Sequence, residues 1–201
     1  MPKKCRMRRG VATLYYLLIM LAAVSGILMA CGDSKPLENE EDPTSELPEA
    51  AEHFSGVTLG IKQADVRKLL GENYIVEAYE DDAGYLREQA NQWIYENGID
   101  LLIGQTSQEV MQIRVFSSDI KTKLGVAVGD NAMEAFNIYR KQYDEHISRH
   151  TEGKLDGWFD IDGDMVLIFD TNKDDYHLVN DPILPDSKIE AIYLKYHSSI
   201  D

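Results

Sequence analysis

Cysteine is scarce in this chain of 201 residues, which has only Cys5 and Cys31. Cys5 lies in an N-terminal segment that we expect to be removed, so the remaining chain has one thiol and cannot form an internal disulfide. Catalytic motifs are also lacking, because the sequence has no Gly-x-Ser-x-Gly elbow and no phosphate-binding glycine loop followed by lysine. These absences favour a non-catalytic protein that needs no cofactor.

Basic residues are few beyond the first nine positions. Residues 31–201 carry 35 Asp and Glu against 15 Lys and Arg, which gives a formal charge of −20. A surface this acidic repels phosphate backbones and anionic lipid headgroups. We therefore expect no nucleic-acid partner and no membrane adsorption through a basic patch.

The sequence has one long apolar run, at residues 11–29, and it follows a cluster of Lys and Arg. This arrangement is typical of a secretory signal peptide, although the run is also long enough to be an uncleaved anchor. The segment Leu28-Met29-Ala30-Cys31-Gly32 resembles the lipobox of bacterial lipoproteins. That resemblance implies cleavage between Ala30 and Cys31 and a diacylglycerol on Cys31. Residues 1–30 are therefore predicted to be a lipoprotein signal peptide.

The segment that follows is rich in acids and prolines. Residues 33–52 contain eight acidic side chains, three prolines and a single lysine. Such a stretch cannot bury enough apolar surface to offset the entropy lost on ordering. Residues 31–53 are therefore predicted to be a lipidated cysteine and a disordered acidic tether. The tether would hold a folded domain on the extracytoplasmic face of a cell membrane, and we favour a bacterium with a single membrane.

The rest of the sequence shows internal similarity in three blocks that recur in the same order. Residues 56–60 correspond to 125–129, residues 93–103 to 158–168, and residues 111–116 to 190–195. Repeated supersecondary units are the usual origin of such a pattern. We expect two tandem repeats, at residues 54–120 and 121–201.

Each repeat is predicted to contain a helix, an antiparallel β-hairpin and a further strand, which makes the fold class α+β. In the first helix Val66, Leu69 and Leu70 share a face and Gly71 ends the helix. In the second helix Asp130 is the expected cap. Its apolar stripe is predicted from Met133, Phe136, Tyr139 or Arg140, and Tyr143. Asn97-Gly98 and Asp162-Gly163 suit two-residue hairpin turns.

Several of these residues are similar to the signature of the SmpA/OmlA small-lipoprotein family. They are Gly60, Val66, Leu69, Leu70, Gly71, Trp93 and Tyr95. Two such units in tandem resemble the fold of β-lactamase-inhibitor proteins. The resemblance covers most of residues 56–196 and implies a binding scaffold that uses a sheet face as its contact surface.

Two sets of residues raise the question of a metal site. Four acids, Asp156, Asp160, Asp162 and Asp164, are close in sequence, but they do not fit the EF-hand template. His146 and His150 would share a face if they lay on a helix, yet no third ligand completes a known motif. We therefore expect no metal.

The second predicted repeat has an extra stretch at residues 175–185. Tyr176, Ile183 and Leu184 within it could form an exposed apolar patch, so this is the candidate binding loop. The alternative is an additional edge strand that is ended by prolines.

Together these features predict a lipid-anchored, extracytoplasmic binding or scaffold protein of the bacterial cell envelope. Its expected contacts are the membrane, through Cys31, and a cell-envelope protein. One alternative is an inhibitor of a cell-envelope hydrolase that acts through its sheet face. A less favoured alternative is a cell-envelope enzyme, which would need a functional pair of acids.

Overall fold

A computed structural model describes residues 51–80, 84–175, 177–180 and 182–200. The predicted signal peptide, Cys31 and residues 31–50 of the predicted tether lie outside these ranges, as does Tyr176. Within them, no helix combines the length and apolar character needed to cross a membrane.

The described chain forms a mostly-β domain with two short helices and one eight-stranded antiparallel sheet. The helices are α1 (Gln63–Leu70) and α2 (Ala132–Tyr139). The strands are β1 (Tyr74–Tyr79), β2 (Ala90–Tyr95), β3 (Ile99–Gly104), β4 (Val110–Val115), β5 (Asp144–Ile147), β6 (Lys154–Ile161), β7 (Met165–Asp170) and β8 (Ala191–Tyr196). A short 3₁₀ helix, His197–Ser199, follows β8.

The strand order in the sheet is β1-β2-β3-β4-β8-β7-β6-β5. The seam between β4 and β8 joins the two halves of the chain, with Ile113 opposite Leu194 and Arg114 opposite Tyr193. β1 and β5 are the two edge strands. β1 is largely exposed, and β5 is exposed at both ends with His146 buried between them.

The main core lies between the helices and one face of the sheet. Alternate side chains of the strands point to this face, as the period of a β-strand requires. In the second half of the chain Phe136 and Tyr139 from α2 pack on Phe159 and Phe169, with ring centroids 4.9–6.3 Å apart. In the first half Trp93 stacks on Tyr74 at 4.1 Å.

The first helix follows its prediction in part. Val66 is fully buried, and Gly71, with φ +83°, ends the helix while its N–H donates to the Arg67 carbonyl. The prediction that Leu69 faces the core is wrong, because its side chain is 48% exposed. An added Cβ on Gly56 would lie 3.2 Å from Leu69, so this leucine covers the backbone of the preceding loop instead.

The second helix begins one residue later than predicted. Asn131 is the cap, and its side chain accepts the Glu134 N–H at 3.1 Å. The Asp130 carboxylate instead accepts the Ala127 N–H at 2.9 Å. The prediction that Met133 belongs to the core stripe is wrong, because its side chain is 40% exposed. The buried face of the helix is made of Ala132, Ala135, Phe136 and Tyr139.

Both predicted hairpins are present, but their loops have three residues and not two. Tyr95 pairs with Ile99 and Ile161 pairs with Met165. The expected positive φ is present at the two glycines, with +82° at Gly98 and +78° at Gly163, but not at Asn97 or Asp162.

Glu52 lies in the segment predicted to be an acidic tether, yet it is a buried residue of the folded domain. Its side chain is 3% exposed. It accepts the Lys123 N–H at 2.8 Å and the Tyr139 hydroxyl at 3.1 Å. The folded domain therefore includes residues that the acid-rich composition had assigned to the tether.

Candidate functional site

The sheet has a second face, defined here as the side turned away from α1 and α2. One row of cross-strand neighbours on this face passes through seven strands. From β6 to β1 the row contains Trp158, Ile168, Tyr193, Arg114, Asp100, Ile94 and Ile75. Cross-strand neighbours on one face are close enough to interact directly. The second face therefore carries aromatic, apolar and charged groups in a continuous line. Trp158, Ile168 and Asp100 are buried, and the other members of the row are at least partly exposed.

A half-buried ion pair lies near the middle of this row. Arg114 Nη2 is 2.8 Å from Asp100 Oδ2, and Gln92 Nε2 donates to the same oxygen at 3.0 Å. The Arg114 and Asp100 side chains are only 22% and 11% exposed. The Arg114 guanidinium also lies 5.7 Å from the ring of Phe116. A charge-assisted pair with this little solvent around it fixes the direction of the guanidinium.

A second polar pair, Asp170 and Tyr193, lies beside Arg114. Burial raises the pKa of the Asp170 carboxyl, and the negative charges of Asp175 and Glu190 raise it further. Burial likewise raises the pKa of the Tyr193 hydroxyl to about 12, with a smaller contribution from the Asp170 charge. The tyrosine is therefore a neutral hydrogen-bonding group at physiological pH.

These residues line a groove on the second face with a volume of about 460 Å³. One wall comes from the strands and includes Tyr79, Gln112, Arg114, Tyr193 and Lys195; the other includes Asp170, Lys173, His177 and Leu178 from the end of β7 and the segment after it. The groove thus combines cationic, anionic and aromatic groups.

The wall after β7 is held to the sheet by side-chain hydrogen bonds. Trp158 Nε1 donates to the Leu178 carbonyl at 2.7 Å. The Asn180 amide group donates to the carbonyls of Asp156 and Phe169 at 2.9 and 2.7 Å, and its oxygen accepts the Thr171 N–H at 2.9 Å. Because these hydrogen bonds join the segment to β6 and β7, the described part of this wall is held against the sheet.

The candidate binding loop is described only in part. Ile183 is partly buried and packs against the main core, whereas Leu184 is 54% exposed. Between β7 and β8 the described residues form no strand, and their only bridge is the isolated one between Asn131 and Lys188. The extra-strand alternative is therefore not seen there, and a binding role for Tyr176, Ile183 and Leu184 stays a prediction.

The structure separates the two histidines that the sequence paired. His146 is buried on β5, while His150 is exposed in the turn after that strand. His146 instead meets Asp160 and His197, with Nδ1 of His146 2.7 Å from Oδ1 of Asp160.

The other three acids of the Asp156 to Asp164 set do not belong to this cluster. Asp156 pairs with Arg140 at 2.9 Å, and Asp162 and Asp164 lie in the hairpin between β6 and β7.

Arg114, Asp100, Gln92 and Tyr193 are not among the site residues predicted from the sequence. Arg114 and Tyr193 lie in segments that correspond between the predicted repeats, and polar residues alternate with apolar ones there. That alternation was the available signal for a second face, because one side of a half-buried strand must meet solvent or a partner.

Comparison of this chain with protein-family models, curated proteins and solved structures gives no match. The similarities to the lipobox and to the small-lipoprotein family therefore remain predictions from the sequence.

Proposed function

We propose that this chain is a lipid-anchored, extracytoplasmic binding protein of the bacterial cell envelope, without catalytic activity, and that it binds a protein partner through the second face of its sheet. The lipobox-like segment ending at Cys31 supports the anchor. Two acyl chains provide stable membrane attachment, because each buried methylene contributes about 0.8 kcal/mol. The membrane supplies the location, and the sheet supplies the contact surface.

The single observation that carries the binding proposal is the part of the row from Tyr193 to Ile75. Protein interfaces are enriched in Tyr and Arg, and this part of the row contains one of each, both partly exposed. Its ion pair is already formed and half-buried, so little side-chain entropy remains to be lost on binding. The mixed charges of the groove favour a partner with polar and charged groups over a purely apolar ligand.

We also propose that the two halves are tandem repeats. The first half contributes a helix and then four strands, and so does the second. The strand order is symmetric about the seam between β4 and β8. Two similar units joined side by side would produce such an order and would double the length of the contact surface.

The strand β1 offers a matched pair of substitutions for the test. Ile75 and Val76 are neighbours, 62% and 52% exposed, and both are β-branched. Ile75 stands opposite Ile94 on the second face, whereas Val76 stands opposite the core residue Trp93. Ile75→Asp therefore places a charge on the proposed contact surface, and Val76→Asp places one on the other side of the same strand.

The experiment is crosslinking of intact cells with the wild type, Ile75→Asp, Val76→Asp and Cys31→Ser, followed by mass spectrometry of captured proteins and of the N-terminus. We expect a diacylated Cys31 in the first three. We expect one envelope partner that Val76→Asp retains and that Ile75→Asp loses, and direct binding of the purified partner should show the same difference.

Equal capture by the two β1 variants would contradict use of the second face. An unprocessed wild type, or normal maturation of Cys31→Ser, would contradict the lipid anchor. If the partner is a hydrolase whose activity falls on one-to-one binding, the inhibitor alternative replaces the scaffold.

A further inference from the structure

Three potential metal ligands from separate parts of the chain lie close together on the second face of the sheet. His146 lies on β5, Asp160 on β6, and His197 begins the 3₁₀ helix after β8. One ligand atom from each lies within 4.8 Å of the other two. We propose that His146, Asp160 and His197 bind a divalent transition metal ion of the zinc class. The site lies on the same face as the proposed partner surface, but none of its three ligands belongs to the row of residues that carries that proposal.

The spacing of the donor atoms is close to what such an ion requires. Zinc binds imidazole nitrogen and carboxylate oxygen at about 2.0–2.2 Å, so two ligand atoms of a tetrahedral site lie about 3.3 Å apart. Nε2 of His197 is 3.4 Å from Oδ1 of Asp160. Nδ1 of His146 is 2.7 Å from the same oxygen, which is a hydrogen-bond distance. Metal entry would thus lengthen one contact by about 0.6 Å.

The donor set selects the kind of ion. Calcium and magnesium prefer sites made of oxygen atoms, whereas imidazole suits zinc, copper, nickel and iron. Two imidazoles and one carboxylate therefore favour a transition metal. Three protein ligands also leave a coordination position for water or for a group from another molecule.

The surroundings hold the ligands in place. The His146 ring stacks near Trp158, with centroids 5.9 Å apart, and lies edge-to-face with His197 at 5.2 Å. The His197 backbone N–H donates to the Asp164 carbonyl at 3.0 Å. Fixed ligand orientation of this kind raises metal affinity, because less freedom is lost on binding.

The site is open to solvent on one side. The His146 side chain is 8% exposed, but those of Asp160 and His197 are 38% and 27% exposed. An ion can therefore reach the two outer ligands from water while His146 forms the floor.

The local charge also favours a cation. Asp144 stands directly opposite Asp160 in the β5–β6 register, so both carboxylates lie on the same face. Asp162 and Asp164 follow in the adjacent hairpin. Arg87 offsets part of this negative charge, because its Nη2 atom lies 3.9 Å from Asp164 Oδ2.

The test is calorimetric titration of the full chain with Zn²⁺ after removal of metals with a chelator. We expect one site that His197→Gln or Asp160→Asn weakens at least about tenfold, since loss of even an indirect metal partner costs 10–100-fold. His150→Gln is the matched control, because His150 is an exposed histidine outside the cluster. It should bind Zn²⁺ like the wild type, and Ca²⁺ should not compete.

A second measurement uses the wild type alone and so does not depend on the folding of any variant. In histidine NMR spectra, Zn²⁺ should shift the ring resonances of His146 and His197 and leave those of the exposed His53 unchanged. The proposal is overturned if the His146 and His197 resonances do not respond. It is equally overturned if folded His197→Gln and Asp160→Asn bind Zn²⁺ as tightly as the wild type.

Discussion

Glu52 is a buried carboxyl group that connects three parts of the domain. It accepts hydrogen bonds from the Lys123 backbone and the Tyr139 hydroxyl, and its own carbonyl accepts the Thr58 hydroxyl at 2.8 Å. Burial raises the pKa of this carboxyl above its ordinary value of 4.5, although the hydrogen bonds to Lys123 and Tyr139 oppose the rise. The folded state therefore binds a proton at Glu52 more tightly than the unfolded state does.

Substitution of Glu52 by Gln should change the pH dependence of stability. A raised pKa in the folded state contributes stability that is fully present below the unfolded pKa and lost as the pH rises through the folded pKa. In Glu52→Gln no carboxyl group titrates at this position, so stability is not lost there as the pH rises. The glutamine side-chain oxygen can still accept the Lys123 N–H. We therefore expect the stability of Glu52→Gln relative to the wild type to increase as the pH rises above 4.5. The measurement is the free energy of unfolding in urea at a series of pH values from 4 to 8.

The exposed Glu96 provides the control for this prediction. Glu96→Gln should follow the wild-type pH dependence, and Asp170, whose pKa is also raised, is present in all three chains. A constant difference between Glu52→Gln and the wild type across this pH range would contradict the assignment.

The environment of Glu52 could not be predicted from its neighbours in sequence. The acids and prolines before it indicate a solvated tether, while its partners Lys123 and Tyr139 lie 71 and 87 positions away. Val66 and Phe136 were predicted correctly because helical periodicity alone places them on a core face. Burial of a polar group depends on contacts that local patterns do not contain.

At the scale of elements, Gly157 lets the backbone of β6 lie directly against the side chains of Phe136 and Asn180. Its φ is +84°, and an added Cβ would lie 2.7 Å from Phe136 Cζ and 2.8 Å from Asn180 Nδ2. Phe136 belongs to the main core, and Asn180 anchors the wall of the groove. One glycine thus permits both the packing of α2 and the attachment of the segment after β7.

Gly157→Ala should destabilise the domain more than the same change at another glycine with positive φ. Gly163 has φ +78°, and its nearest neighbour to an added Cβ is Met165 Cε at an ordinary 3.7 Å. We expect about 1 kcal/mol of loss for Gly163→Ala from the backbone alone. Gly157→Ala adds overpacking, which costs roughly 1–3 kcal/mol more. Urea unfolding of both variants gives the comparison, and equal losses would contradict it.

Some elements could be predicted from the sequence and others could not. β2, β3, β6 and β7 surround glycine turns and contain apolar runs, so the hairpins were recognisable. β1 and β5 are edge strands, and the polar segment that contains β5 left open a helix on which His146 and His150 would share a face. An edge strand obtains its conformation from the neighbouring strand and needs little apolar patterning of its own.

At the scale of the whole molecule, the pairing of β4 with β8 joins the two halves of the chain into one sheet. The chain has two tryptophans, and one lies in each half, Trp93 on β2 and Trp158 on β6. Each is buried, at 3% and 5% exposure, so the fluorescence of each should change on unfolding. The sequence therefore contains a natural probe for each half.

We expect the two halves to unfold together. In Trp158→Phe the fluorescence of Trp93 reports the first half, and in Trp93→Phe the fluorescence of Trp158 reports the second half. Because β4 and β8 share hydrogen bonds along the seam, each fluorescence midpoint in urea should coincide with the midpoint from circular dichroism of the same variant. Midpoints that separate within one variant would show that the halves unfold independently.

The overall class was partly predictable, since the recurring blocks indicated helices combined with antiparallel strands. The joining of all eight strands into a single sheet was not predicted, because pairing of β4 with β8 brings together residues about 80 positions apart. The row on the second face follows from that pairing.

The central position of β8 has a consequence for how the chain is made. β8 follows every other strand in the sequence, yet it lies between β4 and β7. A ribosome releases the chain from its N-terminus, so β4 has an unpaired backbone edge until residues 191–196 emerge. Open strand edges pair readily with foreign strands. The sheet can be completed only after nearly all of the described chain has been synthesised, and until then one edge of β4 has no strand beside it.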